Sequence, residues 1–211
     1  MNHSSPTRRA LVTGASGAIG GAIARALAAQ GLHVLAHANR NRAAADAVVA
    51  AIHATGGAAE SVVFDVTDGP ACSKALAEML EAGPIQVLVH NAGVHDDGVF
   101  AGLRPEQWQR VIDVNLNGFF NVAQPLTLPM LRTRWGRIVA ITSVAGQAGH
   151  RGQVHYAAAQ PALHRAATSL DARFERGLVG IERSGWTRPE GVARAWPVLS
   201  GDIDCDVVVV G

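Results

Sequence analysis

The stretch Thr13-Gly14-Ala15-Ser16-Gly17-Ala18-Ile19-Gly20 decides how the rest of the chain is read. It follows the apolar run Ala10-Leu11-Val12 and opens onto Ile19, Ile23 and Leu27 at helical spacing, so a strand feeds a helix through a glycine-rich turn. Backbone N–H groups at a helix N-terminus lack intrahelical partners and carry the positive end of the helix dipole. Glycine lets a phosphate come close to them. Glycines also serve any tight turn, so a glycine triplet needs the flanking elements to give it meaning.

Those elements alternate. The first helix is expected over 19–30, stopped by Gly31, and a short buried strand over 32–36. A helix over 42–54 ends at Gly56-Gly57, and a third strand covers 61–64. Asp68 is placed to cap a helix that begins near Pro70 and ends at Gly83-Pro84. A fourth strand follows over 85–90, then a long helical pattern from Pro105 through Trp108, Val111, Ile112, Asn115 and Phe119. Pro125 and Pro129 are expected to bend or break its later part. A fifth strand over 137–142 and a helix over 154–174 complete the series. Such alternation implies an α/β fold: a doubly wound parallel sheet between two layers of helices, with right-handed crossovers. Ligands bind such sheets beyond the carboxyl ends of the strands, where Gly14, Asp65, Asn91 and Ser143 fall.

The 211 residues suit one domain. With 48% hydrophobic and 17% charged residues the chain is not a disordered one, and a net charge of +1 gives no reason to expect a nucleic-acid or acidic-membrane partner. Cys72 and Cys205 are read as free thiols in a reducing compartment. The first six residues contain no apolar signal core, and no apolar run reaches the roughly 18 residues that span a bilayer. A soluble, cytoplasmic protein is the expectation.

Taken together these residues resemble the short-chain dehydrogenase/reductase family in its single-domain form, over roughly 8–176. Thr13-Gly14 with Ser16, Gly17, Ala18, Ile19 and Gly20 resembles its cofactor turn, with Ala18 at the middle glycine's place and Gly17 one position early. Asp65-Val66 is similar to its adenine-contacting pair, and Asn91-Ala92-Gly93 to its strand-end motif, here preceded by His90 where asparagine is more usual. Asn115 matches the helix asparagine of the catalytic set. Ser143 and, thirteen residues on, Tyr156 match the catalytic serine and tyrosine. His95-Asp96-Asp97 and Trp135-Gly136-Arg137-Ile138-Val139 look most like bacterial reductases of 3-oxoacyl groups on acyl carrier protein.

The resemblance implies a Rossmann-type fold and NADP(H)-dependent reduction of a 3-oxoacyl thioester, bound to acyl carrier protein or coenzyme A, in a homodimer or homotetramer. The chemistry of the residues runs parallel. Hydride delivery to a carbonyl leaves charge on oxygen, so the site needs a hydrogen-bond donor there, for which Ser143 serves, and an acid, for which Tyr156 serves. An acidic residue at the end of the second strand would favour NAD. His37-Ala38-Asn39-Arg40 offers no carboxylate and a nearby cation, which favours NADPH; the plain alternative is that Arg40 and Arg42 merely open a solvated helix. Three adjacent loop residues rarely meet at one ion, so His95-Asp96-Asp97 is not read as a metal site.

Two departures stand out. Gln160 occupies the position of the family's lysine, four residues after Tyr156 on the same helix face. The lysine would hold the nicotinamide ribose and lower the phenol pKa from its ordinary value of about 10; glutamine can hydrogen-bond a ribose but brings no charge. Pro161, next to it, is expected in the helix's first turn. The tail over 177–211 is the other departure. The residues after Phe174 make only a faint strand over 176–181 with no Pro-Gly after it, the substrate flap is missing, and Asp206-Val207-Val208-Val209-Val210-Gly211 could replace the last strand. The last strands are thus expected altered or missing, with residues 1–7 disordered. Trp186 and Trp196 are candidates to cover surface left bare if the sheet stops at strand five. An impaired nucleotide-binding or assembly subunit, or a defective reading-frame product, remain the alternative readings of the whole.

Overall fold

The computed structural model describes residues 7–170 and the strand 204–210. Strands β1 (Arg9–Val12), β2 (His33–Ala38), β3 (Ala58–Val63), β4 (Val87–His90), β5 (Trp135–Ile141) and β6 (Asp204–Val210) form one sheet in the order β3-β2-β1-β4-β5-β6. Every pairing is parallel, and the order reverses direction at β1. Between the strands run α1 (Ala18–Ala29), α2 (Arg42–Ala54), α3 (Gly69–Glu81), α4 (Pro105–Ile112), α5 (Gly118–Arg132), α6 (Ala145–Ala148) and α7 (Val154–Leu170).

Successive side chains along a strand point to opposite faces, so β1 feeds two cores. Ala10 and Val12 join Val34, Ala36, Val87 and Val89 on one face, where alanines Ala24 and Ala28 let α1 lie close to the sheet. Leu11 joins Leu35, Leu88 and Ile138 on the other, beneath Leu76 of α3, Phe119, Leu126 and Met130 of α5 and Leu163 of α7. Burial on both faces puts the open carboxyl ends of β1 and β4 side by side, and Gly14 and Asn91 follow them directly. No helix of the described residues is long and apolar enough to cross a membrane.

Several boundaries differ from the sequence reading. The second and third strands are each longer, because parallel pairing from His33↔Ala58 to Ala38↔Val63 recruits polar flanks that periodicity discounted. The pattern from Pro105 to Phe119 is two helices joined by a π-helical turn, Asp113–Asn117. Pro125 and Pro129 do not break α5, which runs unbroken to Arg132. Each removes one backbone donor, leaving the carbonyls of Asn121 and Pro125 without their usual partners. Burial of Phe119, Val122, Leu126 and Met130 along the same helix offsets that loss. Pro161 is not in the first turn of α7 but eight residues in, packed against Gly146 of α6.

The sheet does not stop at strand five. Residues 204–210 pair with the whole of β5, from Trp135↔Asp204 to Ile141↔Val210. The faint strand over 176–181 and the tryptophans Trp186 and Trp196 lie outside the described residues.

Candidate functional site

Three groups of residues gather at the carboxyl end of the sheet. The first is the glycine turn. Gly14 has φ +67°, where glycine is at ease, and a Cβ on Gly20 would sit 2.4 Å from the Gly14 carbonyl oxygen and 2.6 Å from Asn91 Nδ2. Gly17 begins α1 with no side chain capping it, so the N–H groups of Ala18, Ile19 and Gly20 have no intrahelical acceptor. Ser16 is half-buried, whereas Gly17, Ala18 and Ile19 are exposed, and the Ala18 methyl stands at the mouth of the turn.

The turn is held from below by contacts between Thr13, Asn91, His37 and His90 that the sequence motifs did not reveal. Thr13 Oγ1, fully buried, accepts from the backbone N–H groups of Asn91 and Ala92 at 3.0 Å each. Asn91 Nδ2 donates in return to the carbonyls of Thr13 (3.1 Å) and Gly14 (3.2 Å). Gly14 N–H donates to His37 Nδ1 at 3.1 Å, which leaves His37 Nε2 to carry the proton and donate to the Phe64 carbonyl at 2.9 Å. Burial pushes His37 down to about 4, against smaller raising effects of the Phe64 carbonyl and the Asp65 charge. His90, fully enclosed with Nδ1 3.4 Å from Thr13 Oγ1, is likewise pushed down to about 4 by burial and by His37, with the Asn115 backbone acting the other way. Two neutral histidines thus lie under the turn. His37 figured in the sequence only as the absence of a carboxylate; its burial at the end of a strand lying beside β1 was the signal available.

The second group lies beyond β3. Asp65 accepts from Thr67 through both the backbone N–H (2.9 Å) and the hydroxyl (2.7 Å), closing a tight turn. Burial alone would raise its carboxyl, but the Thr67 hydrogen bonds and the charge of Arg40 outweigh it and hold the group below its ordinary value. Asn39 and Arg40 are exposed at the end of β2. Val66 is buried, with its carbonyl taking Asn121 Nδ2 at 2.9 Å. Gly118 packs so close to Val66 that an added Cβ would come within 2.9 Å of Cγ2.

The third group contains the candidate chemistry. The π-helical turn buries Asn115, whose Nδ2 donates to the carbonyls of Val94 (2.7 Å) and Val111 (2.8 Å). Those two acceptors fix the amide, so Oδ1 faces α7, and Gly93 must lack a side chain because a Cβ would stand 2.7 Å from that oxygen. An oxygen can only accept, so Gln160 presents Nε2 to it at 3.2 Å. That leaves Gln160 Oε1, buried and without a hydrogen-bond partner. A cleft of about 350 Å³ opens there, lined by Ser143, Gln147, Gln160, His164 and Arg165 among others. Ser143 Oγ accepts from Ala145 N–H at 3.2 Å, which frees its own proton for donation. Tyr156 is half-buried one helical turn before Gln160 and is not part of that lining; its ring meets the edge of His95, centroids 6.4 Å apart. The structure therefore joins Ser143 and Gln160 in one cleft, ties Asn115 to Gln160 by a hydrogen bond, and sets Tyr156 beside the loop after β4.

An unpartnered, buried acceptor on a side chain that shares a cleft with a hydroxyl donor, together with an uncapped helix N-terminus at the exposed Gly17, fits a ligand that carries hydroxyls at one end and phosphates further along. The fold and site thus define a doubly wound, nucleotide-binding α/β protein, with the ligand crossing the sheet where the strand order reverses. The chain belongs to the short-chain dehydrogenase family, whose model matches residues 8–181. It is 41% identical over 173 residues to the 3-oxoacyl-[acyl-carrier-protein] reductase of Aggregatibacter actinomycetemcomitans, covering 81% of this chain and 72% of the relative. It is 43% identical over 155 residues to the acetoacetyl-CoA reductase of Shinella zoogloeoides, covering 73% and 62%. Among solved structures it is similar to a gluconate 5-dehydrogenase from Burkholderia cenocepacia in complex with NADP and tartrate (TM-score 0.74, 32% identity, 78% of this chain and 65% of that one). A metagenomic short-chain oxidoreductase in complex with NADP is a further match (TM-score 0.75, 34% identity, 78% and 75%). The chain spans a little under two thirds to about three quarters of these proteins.

Proposed function

We propose that the chain is an NADPH-dependent reductase of 3-oxoacyl thioesters carried on acyl carrier protein or coenzyme A. The observation that carries the proposal is the Asn115–Gln160 amide pair, which leaves a buried acceptor without a partner on a side chain that lines the same cleft as Ser143, one helical turn from Tyr156. The curated relatives named for 3-oxoacyl and acetoacetyl thioesters support the substrate class, and the two NADP-bound structures support the cofactor.

NADPH supplies the hydride. Ala18, Ile19 and Gly20 N–H groups receive its diphosphate, with Gly14, Ser16 and Gly17 giving it room. Arg40, beside Asn39, stands near the adenosine 2′-phosphate; Asp65, Val66, Asn91, Ala92 and Gly93 shape the floor. Gln160 Oε1 accepts from a nicotinamide-ribose hydroxyl. Ser143 donates its free hydroxyl proton as a hydrogen bond to the ketone oxygen, stabilising the charge that develops there. Tyr156 transfers its phenolic proton to the same oxygen. Residues 8–176 form the unit that does this, and two copies pair through the helices around Asn115 and Tyr156, where Trp108 of α4 and Phe120 of α5 are left exposed. Size-exclusion chromatography with light scattering gives the state of assembly.

Titration with NADPH and NADH, followed by nicotinamide fluorescence, and then NADPH oxidation with acetoacetyl thioesters test the reading. Saturable binding that favours NADPH, with turnover lost in Ser143→Ala, is the expected result. Bound cofactor without any turnover would refute it. Gln160 itself favours a second reading, a nucleotide-binding or assembly subunit, because its amide puts no charge near Tyr156; that protein would bind NADPH and turn nothing over.

A further inference from the structure

The loop after β4 is clamped to the start of α7 at three points. Gly98 N–H donates to the Gly152 carbonyl at 2.8 Å, Gln153 Nε2 donates to Asp97 Oδ1 at 2.9 Å, and the His95 ring lies edge-on to Tyr156 with centroids 6.4 Å apart. Asp97 Oδ1 also stands 3.1 Å from His95 Nδ1. The Gln153 hydrogen bond, against a small effect of burial and with help from His95 and His150, holds Asp97 below its ordinary value, so it stays a carboxylate at neutral pH. A carboxylate accepts only, so Nδ1 carries a proton toward it and Nε2 is the nitrogen left to exchange protons. Asp97 thereby sets the orientation and tautomer of an imidazole whose ring packs against the Tyr156 ring.

We infer that His95, oriented by Asp97, is the proton relay that resupplies Tyr156 in place of the family's missing lysine. The inference rests on the reductase reading above. The phenol O–H bond of Tyr156 breaks as the substrate oxygen takes its proton. The phenolate then takes a proton from a bridging water, which in turn takes the Nε2 proton of the imidazolium, whose N–H bond breaks. The neutral imidazole regains its proton from a hydronium ion of the solvent, to which its side chain is 68% exposed, leaving water. No electrons move in these steps beyond the hydride itself. The charged or titratable groups around His95 are Asp97 and Asp96 on its own loop, His150 and Tyr156 from the α7 side, and Arg110 of α4, which faces Asp96 at 3.8 Å. His95 itself is the one in ring contact with Tyr156.

The test uses the full chain with His95→Ala, His95→Gln and Asp97→Asn, reading NADPH affinity by fluorescence and kcat for acetoacetyl-thioester reduction from about pH 5 to 9. The expected result is unchanged NADPH affinity, a kcat about tenfold or more lower in both His95 variants, a smaller loss in Asp97→Asn, and a pH profile of kcat that changes when His95 is replaced. Added imidazole restores His95→Ala but not His95→Gln, whose side chain fills the space. Wild-type rate and pH profile in His95→Ala, or a loss that imidazole leaves untouched, overturns the relay alone. A wild-type protein that binds NADPH yet reduces no thioester overturns the reductase reading and the relay together.

Discussion

Acid should loosen this sheet from beneath the glycine turn, well above the pH at which carboxylates titrate. His37 and His90 are buried and neutral, each pushed from 6.5 to about 4. In the unfolded chain both regain ordinary values, so between pH 6.5 and 4 the unfolded state binds protons that the folded state does not. Stability therefore falls as pH falls through that window. From pH 7 to 5 each histidine costs about 2 kcal/mol, and the pair about 4 kcal/mol, a large part of a typical 5–15 kcal/mol. Protonating His37 would also remove the acceptor for Gly14 N–H, so the turn itself opens. With a urea slope of about 2 kcal/mol per molar, the unfolding midpoint should drop by about 2 M between pH 7 and 5. Urea denaturation followed by circular dichroism at several pH values measures this. The His37→Gln/His90→Asn double variant, which retains hydrogen-bonding amides but has nothing to titrate, should flatten the dependence. Asp65 does not confuse the window, since its carboxyl is held below 3.8 and its contribution is lost only under more acid conditions. A midpoint that stays level from pH 7 to 5, or a double variant as acid-sensitive as the wild type, would refute the argument.

Gly20→Ala forces a methyl group against the Gly14 carbonyl, a backbone atom that cannot step aside, and should cost about 1–3 kcal/mol and weaken NADPH binding markedly. Thermal melts with and without NADPH report both effects, and a variant that binds as tightly as wild type would show that the turn is not the phosphate site. Gln160→Lys places an ammonium against Asn115 Oδ1 one turn from Tyr156 and should raise kcat at least about tenfold by favouring the phenolate. An unchanged rate in steady-state assays would mean that the missing charge is not what limits turnover. Cys72, its thiol raised to about 11 by burial and by the charges of Asp68 and Asp65, should resist iodoacetamide in the native state and react once urea is added. Site-resolved mass spectrometry decides it, and rapid native labelling of Cys72 would contradict the packing of α3.

What could be read from the sequence is what depends on residue type at neighbouring positions. The strand-turn-helix around Gly14, the Asp68 cap, which indeed accepts Ala71 N–H at 2.9 Å, and the alternation that gives a parallel sheet are all local patterns. What could not be read depends on partners far along the chain. A proline in a helix signals a lost donor, but its tolerance at Pro125 rests on a core built from six other elements. His37 reads as a polar strand end until Gly14 and Phe64 close around it from either side. Gln160 shows the same limit at the level of a single atom. The sequence supplies an amide where a lysine was expected, with a donor and an acceptor of nearly equal shape. Which of the two is engaged and which is left without a partner is decided by the carbonyls of Val94 and Val111, through Asn115, 45 residues away from Gln160. A lysine there can only donate; this glutamine, so oriented, can only accept. The substitution therefore removes a charge and also leaves an acceptor over where a lysine would leave a donor.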